Sequence, residues 1–349
     1  MNINRRSALQ ILAGSGLLMT GLPTGSVSAQ TSKATGRRII DVHHHIIPPF
    51  YLEENRQRIA ASRGGQITPA WLNWSPEAAL AEMDKNDVAT SVLSLSTPGV
   101  WFGDAVAART TAHRSNEFAA NLVKSYPGRF GLFAAVPLPD QEGSLKEIEY
   151  AFDVLKADGI GLITSYGDKW LGDPAFAPVF DELNRRKAVV FVHPTTPNCC
   201  RTLLADVAPL VAEVPQDTTR TIANLMFTGA MLRYRDIRFI FTHAGGTMPM
   251  VVNRMTQYGP KDLHEKAPLG VAGELQRHFY DIAGTAHKPA IAALTALIPT
   301  TQILFGSDNP YVPLTETAVG LKALGLSLAD MHLIGWENAR RLLPQLRAG

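Results

Sequence analysis

Several protein classes are excluded by what this 349-residue sequence lacks. Its only cysteines, Cys199 and Cys200, are adjacent, which excludes a disulfide scaffold and a thiolate zinc cluster. We expect two free thiols in a loop, the alternative being a strained vicinal disulfide. The chain has 33 Lys and Arg residues against 31 Asp and Glu residues, and the basic residues form no block. We therefore expect neither a nucleic acid nor an anionic membrane as a partner. No GxGxxG motif opens the first helix, which weakens the case for a nucleotide-binding sheet.

The amino terminus differs from the rest of the chain. Arg5 and Arg6 precede a weakly apolar, glycine-rich stretch at 11–22, and small residues follow at 27–29. This order is typical of a secretory signal, and the arginine pair resembles a twin-arginine signal, although Ala8 stands where a large apolar residue is usual. The alternative is an amphipathic helix or an anchor, but the stretch is too short to span a bilayer well. We therefore expect a signal peptide (1–29), a linker (30–37) and a periplasmic domain (38–349) that is not inserted in the membrane.

From residue 38 onward, short β-branched runs alternate with amphipathic helical stretches, as in a parallel sheet with crossover helices. Eight βα units favour closure into a (β/α)8 TIM barrel over an open sheet. A long insert at 46–75 follows the first strand, and an additional helix is predicted at 328–343. The predicted strands are 38–43, 88–95, 130–136, 159–165, 188–193, 237–243, 279–283 and 302–306, and the main predicted helices are 76–86, 106–125, 145–157, 175–186 and 288–297.

Residues that bind metals recur where the predicted strands end. The first strand ends in His43-His44-His45, and because side chains alternate along a strand, His43 and His45 face one way and His44 the other. The fifth strand ends at His193, the sixth at His243, and Asp308 follows the eighth. Active sites of such barrels lie at this carboxyl edge, and clustered imidazoles can hold a divalent cation there. A single histidine on an apolar strand is more often structural, but the recurrence on four strands predicts a metal site.

The remaining histidines are predicted to have no part in that site. His44 is expected to pack behind it. The others lie in helical or loop contexts and are interpreted as surface or structural residues: His113, His264, His278, His287 and His332.

The set HxH, HP, HAGG and GSDxP, in this order and spacing, resembles the amidohydrolase superfamily from Ile39 to about Leu343. It is most similar to the branch of aminocarboxymuconate-semialdehyde decarboxylase and related nonoxidative decarboxylases. The phrases at 92–102, 165–170 and 191–195 look most like those of 6-methylsalicylate decarboxylases.

The resemblance implies a ligand set and a base. The metal ligands would be His43, His45, His193 and Asp308, and His243 would be an unligated base beside a metal-bound water, with Asp308 as the second candidate for proton transfer. Binuclear members carry a Lys or Glu at the end of the fourth strand, and this chain does not, so one ion is expected. Imidazole and carboxylate ligands favour zinc, with manganese as an acceptable substitute. A homodimer is also implied.

The implied substrate is a small aromatic, hydroxybenzoate-like or muconate-like carboxylic acid that loses CO2. Trp101 and Tyr311 are candidate substrate-binding residues, the alternative being ordinary packing. The semialdehyde decarboxylases carry a carboxylate-binding Arg downstream of the sixth strand, and here residues 259–262 lack one, which leaves Arg56 or Arg58 of the insert. Two alternatives stay open: a metal-dependent hydrolase of a lactone, ester or amide, and a catalytically silent barrel that acts as a binding protein.

Overall fold

Eight parallel strands form one sheet in the computed structural model, which describes residues 39–62, 69–201, 203–204 and 206–346. The expected signal peptide and linker lie outside the described residues. The sheet order is β1-β2-β3-β4-β7-β8-β9-β10, and β5 and β6 form a separate antiparallel pair. The strands are β1 (Ile39–Ile46), β2 (Val88–Leu95), β3 (Phe130–Ala135), β4 (Gly159–Ile163), β5 (Ser165–Tyr166), β6 (Lys169–Trp170), β7 (Val189–His193), β8 (Arg238–Phe241), β9 (Phe279–Asp281) and β10 (Ile303–Leu304).

Backbone hydrogen bonds close the sheet between its first strand and the segment that follows its last. The amide of Val42 donates to the carbonyl of Phe305 (3.0 Å), and the amide of His45 donates to the carbonyl of Asn309 (2.7 Å). In the other direction, the amide of Asp308 donates to the carbonyl of His43 (2.8 Å). These bonds form a seam, here called the β1–β10 seam, and they confirm the predicted (β/α)8 barrel.

Helices separate the strands, and local capping explains several of their starts. Ser75 accepts a hydrogen bond from the amide of Ala78 and Asp104 from that of Ala107, as N-cap residues do. No helix of the described residues is both long and apolar enough to cross a membrane. The helices are α1 (Pro49–Ser62), α2 (Pro69–Leu72), α3 (Pro76–Lys85), α4 (Ala105–Ser125), α5 (Gln141–Tyr150), α6 (Ala177–Arg185), α7 (Pro209–Phe227), α8 (Ala230–Arg233), α9 (Met248–Tyr258), α10 (Leu263–Lys266), α11 (Gly270–Leu275), α12 (Lys288–Thr295), α13 (Leu314–Ala323), α14 (Leu328–His332) and α15 (Asn338–Leu342).

Alternation along β7 shows which face of the sheet leads to the site. Val189 and Phe191 join an apolar cluster that includes Phe133 of β3, whose ring stacks on that of Phe191 at 5.2 Å. The alternate residues of β7 join the larger cluster that packs against the helices. His193 therefore continues the inward face of the barrel, above a filled interior.

Several predicted elements differ from the structure, and two of them are informative. The fourth strand ends at Ile163 instead of continuing to 165, because the Thr164 and Ser165 hydroxyls donate to the buried carboxylate of Asp217 and turn the chain away. The predicted helix at 328–343 is two short helices, α14 and α15, joined by a π-helical segment at Leu333–Glu337. The long insert contains α1 and α2 and packs on the barrel through an apolar cluster with Tyr51 and Trp71.

Candidate metal centre

The four residues expected to be ligands lie together at the carboxyl edge of the barrel. Nε2 of His43 lies 3.1 Å from Nε2 of His45. Oδ1 of Asp308 lies 3.3 Å from Nε2 of His43, 3.0 Å from that of His45 and 3.9 Å from that of His193. His43 and His45 are fully buried, and His193 is nearly so.

His243 lies beside the same group. Its ligand atom and those of His43, His193 and Asp308 all lie within 4.8 Å of one another. It begins a 3₁₀ turn after β8, where its own φ is +53° and that of Ala244 is +57°. The structure thus brings together all five residues that the sequence singled out for metal binding and proton transfer.

Hydrogen bonds hold each of these imidazoles with the same nitrogen facing the centre. Nδ1 of His43 lies 2.9 Å from a carboxylate oxygen of Asp281, and Nδ1 of His193 and of His243 each lie 2.9 Å from a backbone carbonyl oxygen. Because those oxygens can only accept, each Nδ1 carries a proton, and in a neutral ring Nε2 then keeps its lone pair. Nδ1 of His45 similarly faces Ser94, 3.0 Å from the hydroxyl and 3.3 Å from the carbonyl.

Two polar atoms at the centre have no hydrogen-bond partner among the described residues: Nε2 of His193 and Oδ1 of Asp308. A buried polar atom without a partner costs about 1–3 kcal/mol, so such atoms are uncommon unless something else binds them. The two atoms lie 3.9 Å apart, and Oδ1 of Asp308 also lies 3.0 Å from Nε2 of His45. This donor set of three imidazoles and one carboxylate fits a divalent cation.

Charges at the centre agree with that fit. Burial lowers the pKa of His45 to about 4 and that of His193 to about 3, so both are neutral, as metal ligands must be. Burial opposes ionisation of Asp308, but the closeness of the three histidines holds its pKa well below the usual value. Burial also disfavours charge on His43, yet Asp281 and Asp308 raise its pKa to about 10. Without a cation, the two carboxylates thus keep a positive charge on His43.

Carboxylates and hydroxyls that the sequence analysis missed support the ligands. Asp281, at the end of β9, contacts His43, and Ser94 of β2 contacts His45. Asp41 accepts hydrogen bonds from the amides of His43 and Ser307, both at about 3.0 Å, and from the Ser307 hydroxyl at 2.6 Å. A buried acidic residue at the end of an apolar strand was the available signal for Asp281, but only the fold shows its partner.

The other histidines have the predicted structural positions. His44 is buried and its Nδ1 lies 3.3 Å from Oδ2 of Asp41, away from the ligand group. His278 is buried against the ring of Phe239, and His264 is largely exposed.

A cavity of about 460 Å³ opens beside the centre. Two lining residues, Ile163 and Thr195, bring the cavity next to the centre, and Ile163 of β4 pairs with His193 of β7. The ligands themselves do not line the cavity. Its walls are partly aromatic and partly hydroxyl-bearing, and they include two arginines: Trp101, Phe102, Tyr166, Ser165, Arg58 and Arg201.

Of the two predicted substrate-binding residues, one lines the cavity and the other packs against a predicted ligand. Trp101 lines the cavity. Tyr311 packs edge-on against His45, with ring centroids 5.3 Å apart, and against Trp71 at 5.4 Å. Of the two arginines considered for the substrate carboxylate, Arg58 lines the cavity, and its guanidinium lies 5.2 Å from the centre of the Phe102 ring. Arg56 is exposed and does not line it.

The expectation of free thiols is wrong. Cys199 and Cys200 form a disulfide between adjacent residues. They lie in the 3₁₀ turn Asn198–Cys200, whose first residue lines the cavity. The turn places the two sulfurs together, which composition could not show.

Comparison with known proteins agrees with this geometry. The amidohydrolase family model matches residues 40–345. A 6-methylsalicylic acid decarboxylase of Aspergillus aculeatus is 36% identical over 332 residues, covering 88% of this chain and 96% of the relative. The crystal structure of an amidohydrolase II has a TM-score of 0.81 at 29% identity and covers 88% of this chain and 99% of its own. A dihydroxybenzoic acid decarboxylase from Polaromonas, solved with manganese and 2-nitroresorcinol, has the same fold, with a TM-score of 0.78 at 21% identity, covering 90% of this chain and 98% of its own. The chain belongs to the amidohydrolase family.

Proposed function

We propose that this protein is a metal-dependent nonoxidative decarboxylase of a small hydroxybenzoate-like acid. The observation that carries the proposal is the group of three histidines and Asp308, with His243 beside it and an aromatic, hydroxyl-lined cavity adjoining it. Relatives that share about a third of the sequence along most of the chain are named for such reactions.

His43, His45, His193 and Asp308 would hold one divalent ion. When bound, the ion supplies Lewis acidity that can bind the carboxylate and an ortho hydroxyl of the acid. Strand β4 has no Lys or Glu to hold a second ion. We propose zinc because of the imidazole ligands, with manganese as the substitute that the Polaromonas structure supports.

The protein's own groups would orient the acid and move one proton. Trp101 and Phe102 offer flat apolar contacts to an aromatic ring, and Arg58 supplies positive charge in the cavity wall. The protonated Nε2 of His243 would donate its proton to the ring carbon that bears the carboxylate. The carbon–carbon bond then breaks, its electron pair restores the aromatic ring, CO2 leaves, and neutral His243 takes a new proton from solvent.

Carboxyl-labelled substrates distinguish decarboxylation from hydrolysis. We expect the metal-loaded protein to release labelled CO2 from 6-methylsalicylate or 2,6-dihydroxybenzoate and, in D2O, to place one deuteron on the ring carbon that lost it. The measurement is mass spectrometry of gas and product, with metal-stripped protein as the control. No CO2 from any hydroxybenzoate, together with hydrolysis of a lactone or ester, would replace the proposal with the hydrolase alternative. Neither activity, with acids still bound, would indicate the silent binding protein.

Export and dimerisation are further proposals, supported by the paired arginines at the amino terminus and by the family resemblance. Protein recovered from the periplasm is expected to begin near Gln30, and replacing Arg5 and Arg6 by Lys should keep the chain in the cytoplasm. Amino-terminal sequencing of each fraction is the measurement, and a periplasmic chain that retains Met1 would contradict cleavage. The mass of the purified protein in solution tests the dimer.

A further inference from the structure

One buried carboxylate, that of Asp281, contacts both functional parts of the site. Its Oδ2 lies 2.9 Å from Nδ1 of His43, a predicted ligand. Its Oδ1 accepts hydrogen bonds from the backbone amides of His243 and of Ala283, each at 3.0 Å. The carbonyl of Ala283 in turn lies 2.9 Å from Nδ1 of His243. The end of β9 therefore holds the ring of one histidine and both the backbone and the ring of the other.

The surroundings of Asp281 leave its carboxylate little freedom. It is fully buried, and no Lys or Arg of the described residues forms an ion pair with it. Gly306 packs on it so closely that an added Cβ would stand 2.9 Å from Cβ and Cγ of Asp281 and 2.7 Å from Cβ of His43. A glycine is needed there for the segment after β10 to approach both residues. The hydrogen bonds to His43 and to the turn are therefore the polar partners that compensate for burying this charge.

We infer that Asp281 is a positioning residue that sets the tautomer of His43 for metal binding and holds the turn that carries His243. This inference rests on the proposed function for the role of His243, but not for the role of His43. A carboxylate only accepts hydrogen bonds, so in the neutral ring that binds a cation it keeps the proton of His43 on Nδ1 and leaves the Nε2 lone pair for the ion. The other oxygen stabilises a backbone in the left-handed region, which His243 and Ala244 occupy at φ +53° and +57°.

Asp281→Asn separates these two tasks. The amide oxygen can still accept from the His243 and Ala283 amides, so the turn and the fold are kept. The amide nitrogen then faces Nδ1 of His43 and donates to it, which favours the tautomer with its proton on Nε2, where the metal would bind. We expect the Zn²⁺ dissociation constant to rise by about 10–100-fold, the usual effect of losing such a partner. Calorimetric titration of stripped protein with Zn²⁺ measures it without reference to activity.

A matched control is Asp217→Asn. Asp217 is equally buried near the same edge of the barrel, but it accepts from Thr164, Ser165 and Trp170 and touches no predicted ligand. Its Zn²⁺ affinity should equal that of the wild type, so a loss confined to Asp281→Asn separates positioning from a general effect of removing a buried charge. Unchanged Zn²⁺ affinity in Asp281→Asn would overturn the inference.

A measurement on the wild type covers the case in which the variant does not fold. Nitrogen-15 NMR of the zinc-loaded protein, assigned with a His43→Gln sample, should show His43 protonated at Nδ1. A signal for metal bound at Nδ1, with the proton on Nε2, would overturn the inference whatever the variant does. If the wild type releases no CO2 but Zn²⁺ affinity still depends on Asp281, the proposed function fails and the positioning of His43 stands. If the wild type releases CO2 and Asp281→Asn binds Zn²⁺ normally, the proposed function stands and the positioning of His43 fails.

Discussion

His243→Asn is expected to lower kcat for decarboxylation by roughly 10²–10⁴-fold, the usual contribution of a positioned acid–base group, while metal content stays near one ion per chain. The ring of His243 turns Nε2 toward the site, and its backbone is held independently by Asp281. Asparagine is the suitable replacement because the residue has φ +53°, a conformation that Asn adopts more readily than Ala. Elemental analysis and initial rates at saturating substrate give the two numbers.

The control is His264→Asn, which changes an exposed histidine outside the ligand group. Its rate and metal content should match those of the wild type. Loss of the ion from His243→Asn would make His243 a ligand, an outcome that its closeness to His43, His193 and Asp308 makes worth measuring. Full activity with the metal retained would return His243 to a structural role and leave Asp308 as the candidate for proton transfer.

Asp308→Asn and His193→Ala are each expected to reduce bound metal to well below one ion per chain and to abolish detectable turnover. Oδ1 of Asp308 lies within 4.0 Å of Nε2 of His43, His45 and His193, so it is the one negative charge shared by the proposed ligands. The change to Asn keeps the backbone at φ +64° and removes only that charge. Metal analysis after dialysis against a weak chelator is the measurement.

The fold should survive both changes, because the ligands lie at the catalytic face of the barrel. Unfolding of metal-free protein should therefore occur near the same temperature in variants and wild type, while added Zn²⁺ raises the midpoint of the wild type alone, by mass action. The exposed Asp262→Asn provides a control for loss of a carboxylate. A full ion per chain in both ligand variants would refute the assignment.

The place of the candidate site could be predicted because strand alternation and the shared edge of parallel strands determine it, whereas the division into ligands and base came only from the family resemblance. Alternation along a strand places His43 and His45 together, and parallel strands present His193, His243 and Asp308 at the same edge. One detail differs from ideal alternation: the pairing of β1 with β2 shifts register between Asp41 and His44, and the ligands nevertheless converge.

What could not be predicted depends on contacts between distant segments. Asp281 looks like any acidic residue at a strand end until β9 is placed between β8 and β10, which brings it within reach of His43. The hairpin of β5 and β6 forms because Asp217, on a helix much later in the chain, accepts hydrogen bonds from Ser165 and Trp170. The disulfide of Cys199 and Cys200 depends on the local turn, and a pair of adjacent cysteines does not by itself specify one.

The β1–β10 seam has a consequence for how the site is assembled during synthesis. His43 lies in the first strand and Asp308 follows the last, and they meet only when the seam closes. A ribosome-bound chain that ends before residue 308 contains three imidazoles and no carboxylate to complete the set. The complete proposed ligand set therefore exists only in a closed barrel. If the twin-arginine route exports the chain already folded, the metal it carries is chosen by the ion supply of the cytoplasm, whatever ions surround the enzyme where it works.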